Sequence, residues 1–255
     1  MAKRSGQTVL MLICALMAMP LLRPRLQAQQ GDQQLLLDAV NRDRADHGLG
    51  LLKWDPALAQ AAQSHAEWMS GQSSLSHQYQ GEPSLVTRAS QQGAHFRVVA
   101  ENIAVGIDAQ DLEKQWMSSA PHRANILDPR LNTVGIGLVR RGAHYFGVQD
   151  FSDAVTALGP RQIEDKVAAL LDQKGIHPTG PRQDAEQTCE MPHGVAGGSA
   201  PRFVMRWEGA DLSALPPGLV QQIETGHYRS AAVGACDSAH PEQGFTTYRV
   251  AVLLY

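Results

Sequence analysis

The sequence predicts an α+β protein built in two parts. Three observations carry this expectation. Apolar positions recur at helical spacing along most of the chain up to Leu127. Two strand-like runs, Thr133 to Val139 and Tyr145 to Phe151, follow and are joined by a glycine-containing segment. Helices first and an antiparallel pair afterwards is the order of an α+β sandwich, not of a parallel α/β sheet. After Phe151 the composition shifts, and a second, smaller set of helical and strand-like runs begins.

Taken in order, the first helix carries Leu36, Leu37, Val40 and Asn41 on one face and stops at Gly48, after His47. A second begins at Asp55-Pro56, an N-cap followed by a proline suited to the first helical position. Its apolar face is Leu58, Ala61, Ala62, His65, Trp68 and Met69, and Gly71 ends it. On this reading Trp68 is a core residue, as is Trp116, and His65 is a core histidine hydrogen-bonded to backbone. A polar loop, Gln72 to Pro83, contains Ser76-His77. Leu85 to Gln92 forms a short helix closed by Gly93. Another starts near Asp108, with Asp111 three residues on, close to a capping box. It turns Leu112 and Trp116 inward and ends before Pro121. A short turn or helix, His122 to Leu127, leads to the strand pair.

In the second part, Arg161 to Lys174 reads as a helix with Ile163, Val167, Leu170 and Leu171 on one face. His177 to Arg202, rich in Pro, Gly and polar residues, reads as a loop or linker. Phe203 to Trp207 is a strand, Leu215 to Glu224 a helix ended by Gly226, and Ala231 to Cys236 and Thr246 to Leu254 a final strand pair. Val134-Gly135-Ile136 has an echo in Val233-Gly234-Ala235; few residue types make strands, so chance explains it as well as a degenerate repeat does.

Hydrophobic residues make up 43% of the 255 and charged residues 18%, a balance that supports a packed core and excludes global disorder. Lys3 and Arg4 precede an apolar run from Val9 to Leu22, and Ala28 precedes a glutamine-rich stretch, the layout of a secretory signal peptide spanning 1–28. The run is shorter than the roughly 20 residues of a spanning helix, and Pro20 interrupts it. Ile13 stands where a lipoprotein site has a small residue before its cysteine, here Cys14, which argues against lipidation. Removing 1–28 takes away four basic and no acidic residues and leaves 18 basic against 25 acidic, a net charge of −7. That balance argues against nucleic-acid or anionic-membrane binding. Two cysteines remain, Cys189 and Cys236, and in an oxidising compartment their default state is one disulfide. A secreted or periplasmic protein with no transmembrane segment after cleavage is the expectation.

No phosphate loop, paired Cys-x-x-Cys, His-Glu-x-x-His or Gly-x-Ser-x-Gly motif is present. What remains is a set of short motifs: Ser76-His77; Ala100-Glu101-Asn102-Ile103-Ala104; Trp116-Met117-x-Ser119-x-Pro121-His122-Arg123-x-Asn125-Ile126-Leu127; Val134-Gly135-Ile136-Gly137; and Gln149-Asp150-Phe151. In this order they resemble the CAP family of cysteine-rich secretory, antigen-five and pathogenesis-related proteins, and more closely its bacterial branch, from about Leu35 to Ser152. The resemblance implies an α-β-α sandwich over 33–155; the small α+β domain at 160–255, stapled by Cys189–Cys236, is read from the residues alone. It also implies a cleft lined by two histidines and two glutamates. His77 matches the first histidine, Glu101 the first glutamate and His122 the second histidine. Ser119 stands where the second glutamate of the eukaryotic pattern lies.

Two neutral imidazoles, His77 and His122, are good ligands for zinc or another divalent cation and leave coordination positions open. Glu101 can orient a histidine, ligate the metal or deprotonate bound water; Ser119 brings a hydroxyl but no charge. Each residue also has a bland reading: His77 solvated in its loop, Glu101 capping a turn, His122 a helix N-terminal residue. Arg123 and Asn125 read as partners of loop backbone. His177, His193, His227 and His240 show no ligand spacing.

Three functions stay open: a non-enzymatic extracellular binding module for a protein, lipid or small molecule, whose cleft holds a divalent cation; a metal-assisted, peptidase-like hydrolase using His77, His122 and Glu101; and a structural cell-envelope protein with a vestigial cleft.

Overall fold

The computed structural model describes residues 19–239 and 243–255, the side chains of 19–26 excepted. The expected leader falls largely on residues outside that description; helix α1 runs over Met19–Asp46. The chain divides into two compact units. One comprises residues 1–85 and 100–151, the other 86–99 and 152–255.

The first unit adds to α1 a two-residue strand β1 (Lys53–Trp54) and helix α2 (Pro56–Ser70). Asp55 caps α2, its carboxylate accepting the N–H groups of Ala57 and Leu58, as its position before Pro56 requires. Helix α3 (Leu85–Gln91), which beyond Leu85 belongs to the second unit, leads into strand β2 (Phe96–Gly106), whose residues from Ala100 onward lie in the first. Helices α4 (Ala109–Ser118) and α5 (Ala120–Ile126) and strands β3 (Thr133–Arg141) and β4 (His144–Ala154) complete it. The sheet order is β1-β3-β4-β2, with β1 parallel to β3.

Two helices cover opposite faces of this sheet. On β3, Gly135 and Gly137 lie under α2 so closely that a Cβ would stand 2.0 Å from Ala59 N and 2.3 Å from Ala62 C. On β4, a Cβ at Gly147 would meet Leu112 and Trp116 of α4, whereas its neighbour Val148 packs with Ala62, Ala66 and Met69 of α2. Successive strand residues point to opposite faces, so α2 and α4 sandwich the sheet. This is the predicted α-β-α arrangement.

Three local expectations are corrected. Phe96–Gly106 is a strand that the sequence pattern does not announce, because buried Glu101 and Asn102 interrupt its apolar run. Trp68 is 39% exposed, whereas Trp116 is fully buried; Trp68 lies at the edge of the apolar arc of α2. His65 is fully buried as expected, but its partner is a carboxylate, not backbone.

The second unit holds helices α6 (Pro160–Asp172), α7 (Arg182–Glu190) and α8 (Pro217–Glu224) and strands β5 (Phe203–Gly209), β6 (Ala231–Cys236) and β7 (Tyr248–Leu254), paired antiparallel in the order β5-β7-β6. Val250, Val252 and Leu254 of β7 join Ile163, Val167 and Leu171 of α6 and Leu219 and Ile223 of α8 in one core. The alternate residues Ala251 and Leu253 face Ala185 and Cys189 of α7. The expected linker at 177–202 therefore contains a helix. Only Ala185, Thr188 and Cys189 of α7 are buried, too few for an apolar stripe to show. Gly234 sits under α7 as Gly135 sits under α2, with a Cβ there 2.1 Å from Glu186 N. The disulfide Cys189–Cys236 ties α7 to β6, with Cα atoms 5.8 Å apart.

Candidate functional site

Every predicted cleft residue lies in the first unit. Glu101 stands in β2, 7% exposed, and its Oε1 is 2.8 Å from Nδ1 of His77. His77 sits in the loop after α2 with its side chain 60% exposed. His122 occupies the first turn of α5. Its imidazolium is disfavoured first by burial and then by His77, which lowers its pKa from 6.5. Ser119 closes α4 and opens α5: its N–H bonds the carbonyls of Gln115 and Trp116, its carbonyl takes the N–H of Arg123 at 2.9 Å, and its hydroxyl makes no cap bond.

A polar frame fixes α5 against β2. The fully buried Asn102 donates through Nδ2 to the His122 carbonyl and to Gln149 Oε1, both at 3.1 Å. Asn125 donates to Asn102 Oδ1 at 2.9 Å and to the Glu101 carbonyl at 3.2 Å. Arg123 donates to the Met117 carbonyl at 2.8 Å. Arg44, 1% exposed, spans from α1 to the carbonyls of Gly50, Ile126, Asp128 and Leu131 at 2.8 to 3.0 Å. The Asn102 and Asn125 bonds join residues 20 or more apart in sequence, so they set the placement of His122 relative to Glu101.

Two residues not singled out for the site extend it. His65 of α2 places Nδ1 2.6 Å from Glu82 Oε1 and Nε2 3.9 Å from Glu101 Oε2. Glu82, 5% exposed, accepts the N–H of Tyr79 on its other oxygen at 3.0 Å. Burial, and next the carboxylates of Glu82 and Glu101, raise the Tyr79 phenol pKa. The sequence does carry a signal for Glu82: it is the only Asp, Glu, Lys or Arg between Glu67 and Arg88. A lone acidic residue in a neutral loop near a histidine is a candidate for pairing.

Chemically, Glu101 against Nδ1 of His77 matches the carboxylate–histidine pairing that orients metal-bound imidazoles. Nδ1 then carries the proton and Nε2 keeps a lone pair for a ligand. Neutral His122 offers a second. Among the described residues no group of three or more His, Cys, Asp or Glu is placed to hold a metal ion. Two imidazoles alone would leave most positions of a cation to water or ligand and would not make a closed structural site.

The geometry defines a class: an α-β-α sandwich in which a loop histidine, His77, meets Glu101 of β2, and α5 is bonded to β2 through Asn102. The model of the cysteine-rich secretory protein family, CAP, matches residues 37–151. That segment is a CAP domain. From Bacillus subtilis (strain 168), the "Uncharacterized membrane protein YlbC" is 31% identical over 114 residues, 44% of this chain and 33% of that protein. The "Uncharacterized protein YkwD" from the same organism is 29% identical over 112 residues, 44% of each chain. The chain thus spans less than half the length of either relative. Among solved structures, an extracellular protein containing an SCP domain from Bacillus anthracis str. Ames is 29% identical, with a TM-score of 0.46, covering 49% of this chain and 41% of that one.

Proposed function

We propose that this CAP-domain protein is an exported binding module whose cleft holds a divalent cation, zinc being the natural candidate, between His77 and His122. One observation carries the reading. The Glu101 carboxylate is buried and engaged with Nδ1 of His77 at 2.8 Å, so it acts as an orienting group. A hydrolase of the peptidase kind needs a carboxylate turned toward metal-bound water; Ser119, lacking charge, does not supply one. Export is proposed from the charged and apolar pattern of residues 1–28. Among the described residues no helix is long and apolar enough to cross a membrane.

The bound cation would present open positions to an extracellular protein, lipid or small-molecule ligand. Calorimetry of zinc into the wild type and into His77→Ala/His122→Ala tests the reading. Binding by the wild type alone supports it; identical isotherms sink it and leave the vestigial cleft. Because the His122 pKa is lowered from 6.5, its share of the affinity persists below pH 6.5 and disappears on further acidification.

A further inference from the structure

We propose that Glu82, acting through His65, is a positioning residue for Glu101 and His77. The proposal rests on the reading of His77 as a cation ligand oriented by Glu101.

The geometry is a chain of alternating side chains running from the exposed cleft into the interior: His77, Glu101, His65, Glu82. Glu101 is flanked by an imidazole at each oxygen. His77 Nδ1 lies 2.8 Å from Oε1, and His65 Nε2 lies 3.9 Å from Oε2. His65 Nε2 is buried and has no hydrogen-bond partner among the described residues. His65 cannot swing away. Its ring is fully buried, sits 5.9 Å from the ring of Tyr79, and is held at Nδ1 by Glu82 at 2.6 Å. Glu82 is itself held at Oε1 by His65, at Oε2 by the Tyr79 N–H at 3.0 Å, and at its carbonyl by Gln78 Nε2 at 2.9 Å.

The consequence is directional. Turning the Glu101 carboxyl would take Oε1 off His77, and on its other side His65 Nε2 stands 3.9 Å from Oε2. The Glu82–His65 pair therefore sets the plane of Glu101, and Glu101 sets which nitrogen of His77 carries the proton. Burying a carboxylate and an imidazole together is costly when apolar residues can fill the same space; an orienting role accounts for the pair here.

The test uses the full chain with Glu82→Gln, which keeps shape and removes charge, and Glu82→Asp, which keeps charge and draws the carboxylate back from His65. Nitrogen-15 spectra of the His77 ring, recorded without metal, report its tautomer; zinc calorimetry reports affinity. The expected wild-type result is a single Nδ1–H tautomer. Glu82→Gln should give mixed tautomers and zinc binding weakened roughly tenfold, the low end for loss of a group supporting a metal ligand. Glu82→Asp should fall between, and it covers the case in which Glu82→Gln does not fold. An unchanged tautomer and unchanged zinc affinity in either folded variant would overturn the proposal. If the wild type binds no zinc but Glu82→Gln still changes the His77 tautomer, the cation reading fails and the positioning role stands. If wild type and both variants bind zinc equally well, with one tautomer throughout, the positioning role fails and the cation reading stands.

Discussion

Glu113 of α4 gives the sharpest stability prediction. Both carboxyl oxygens are buried. Burial first, and the Asp43 carboxyl of α1 next, push its pKa from 4.5 up to about 8. Folded protein therefore holds a proton at neutral pH that the unfolded chain releases. With the folded pKa raised, stability falls as pH climbs from 4.5 to about 8 and is level outside that window. Each pH unit inside it is worth up to about 1.4 kcal/mol for one proton. Between roughly pH 5.5 and 7.5 the wild type should thus lose about 2 to 3 kcal/mol relative to Glu113→Gln, whose amide does not titrate. The gap between the two proteins should stop widening below pH 4.5, where Glu113 is protonated in the folded and unfolded states alike. Urea unfolding followed by Trp116 fluorescence is the assay, since this tryptophan is fully buried on the same helix. Parallel stability curves for the two proteins across that range would refute the reasoning.

Other substitutions probe the frame. Arg44→Met strips donors from four carbonyls at the 50, 126, 128 and 131 positions and should cost about 3 to 5 kcal/mol in urea unfolding; a loss under about 1 kcal/mol contradicts the clamp. Gly137→Ala places a Cβ 2.3 Å from Ala62 backbone, so α2 must shift; about 3 kcal/mol or more should be lost by thermal melting, and a wild-type melt would contradict the close approach. Cys189 and Cys236 lie 47 residues apart, a loop whose closure stabilises by about 4 kcal/mol in the chain-entropy model. The double serine variant should unfold at correspondingly lower urea, and free thiols at both positions in the native protein would refute the bridge.

How much was legible follows from particular residues. Asp55-Pro56, Asp108 with Asp111, and Gly48, Gly93 and Gly226 mark helix ends by local chemistry, and the structure places helix boundaries there. Phe96–Gly106 escaped because its mid-strand residues Glu101 and Asn102 are buried polar groups, satisfied only by partners distant in sequence. Helix α7 escaped because its buried side is three small residues. The motifs singled out His77, Glu101, Ser119 and His122, yet which nitrogen of His77 meets Glu101 is a matter of three-dimensional geometry. The His65–Glu82 pair joins residues 17 apart, and helical periodicity alone assigns His65 to the core without naming its partner.

The central claim is that His77 and His122 present two imidazoles to one cation, with Glu101 orienting and not ligating. Crystals grown with equimolar zinc, measured across the zinc absorption edge, test it most directly. The account predicts one anomalous peak bonded to Nε2 of His77 and to His122, with Glu101 still on Nδ1 of His77. A peak bonded to Glu101, or none between the two histidines, would contradict it.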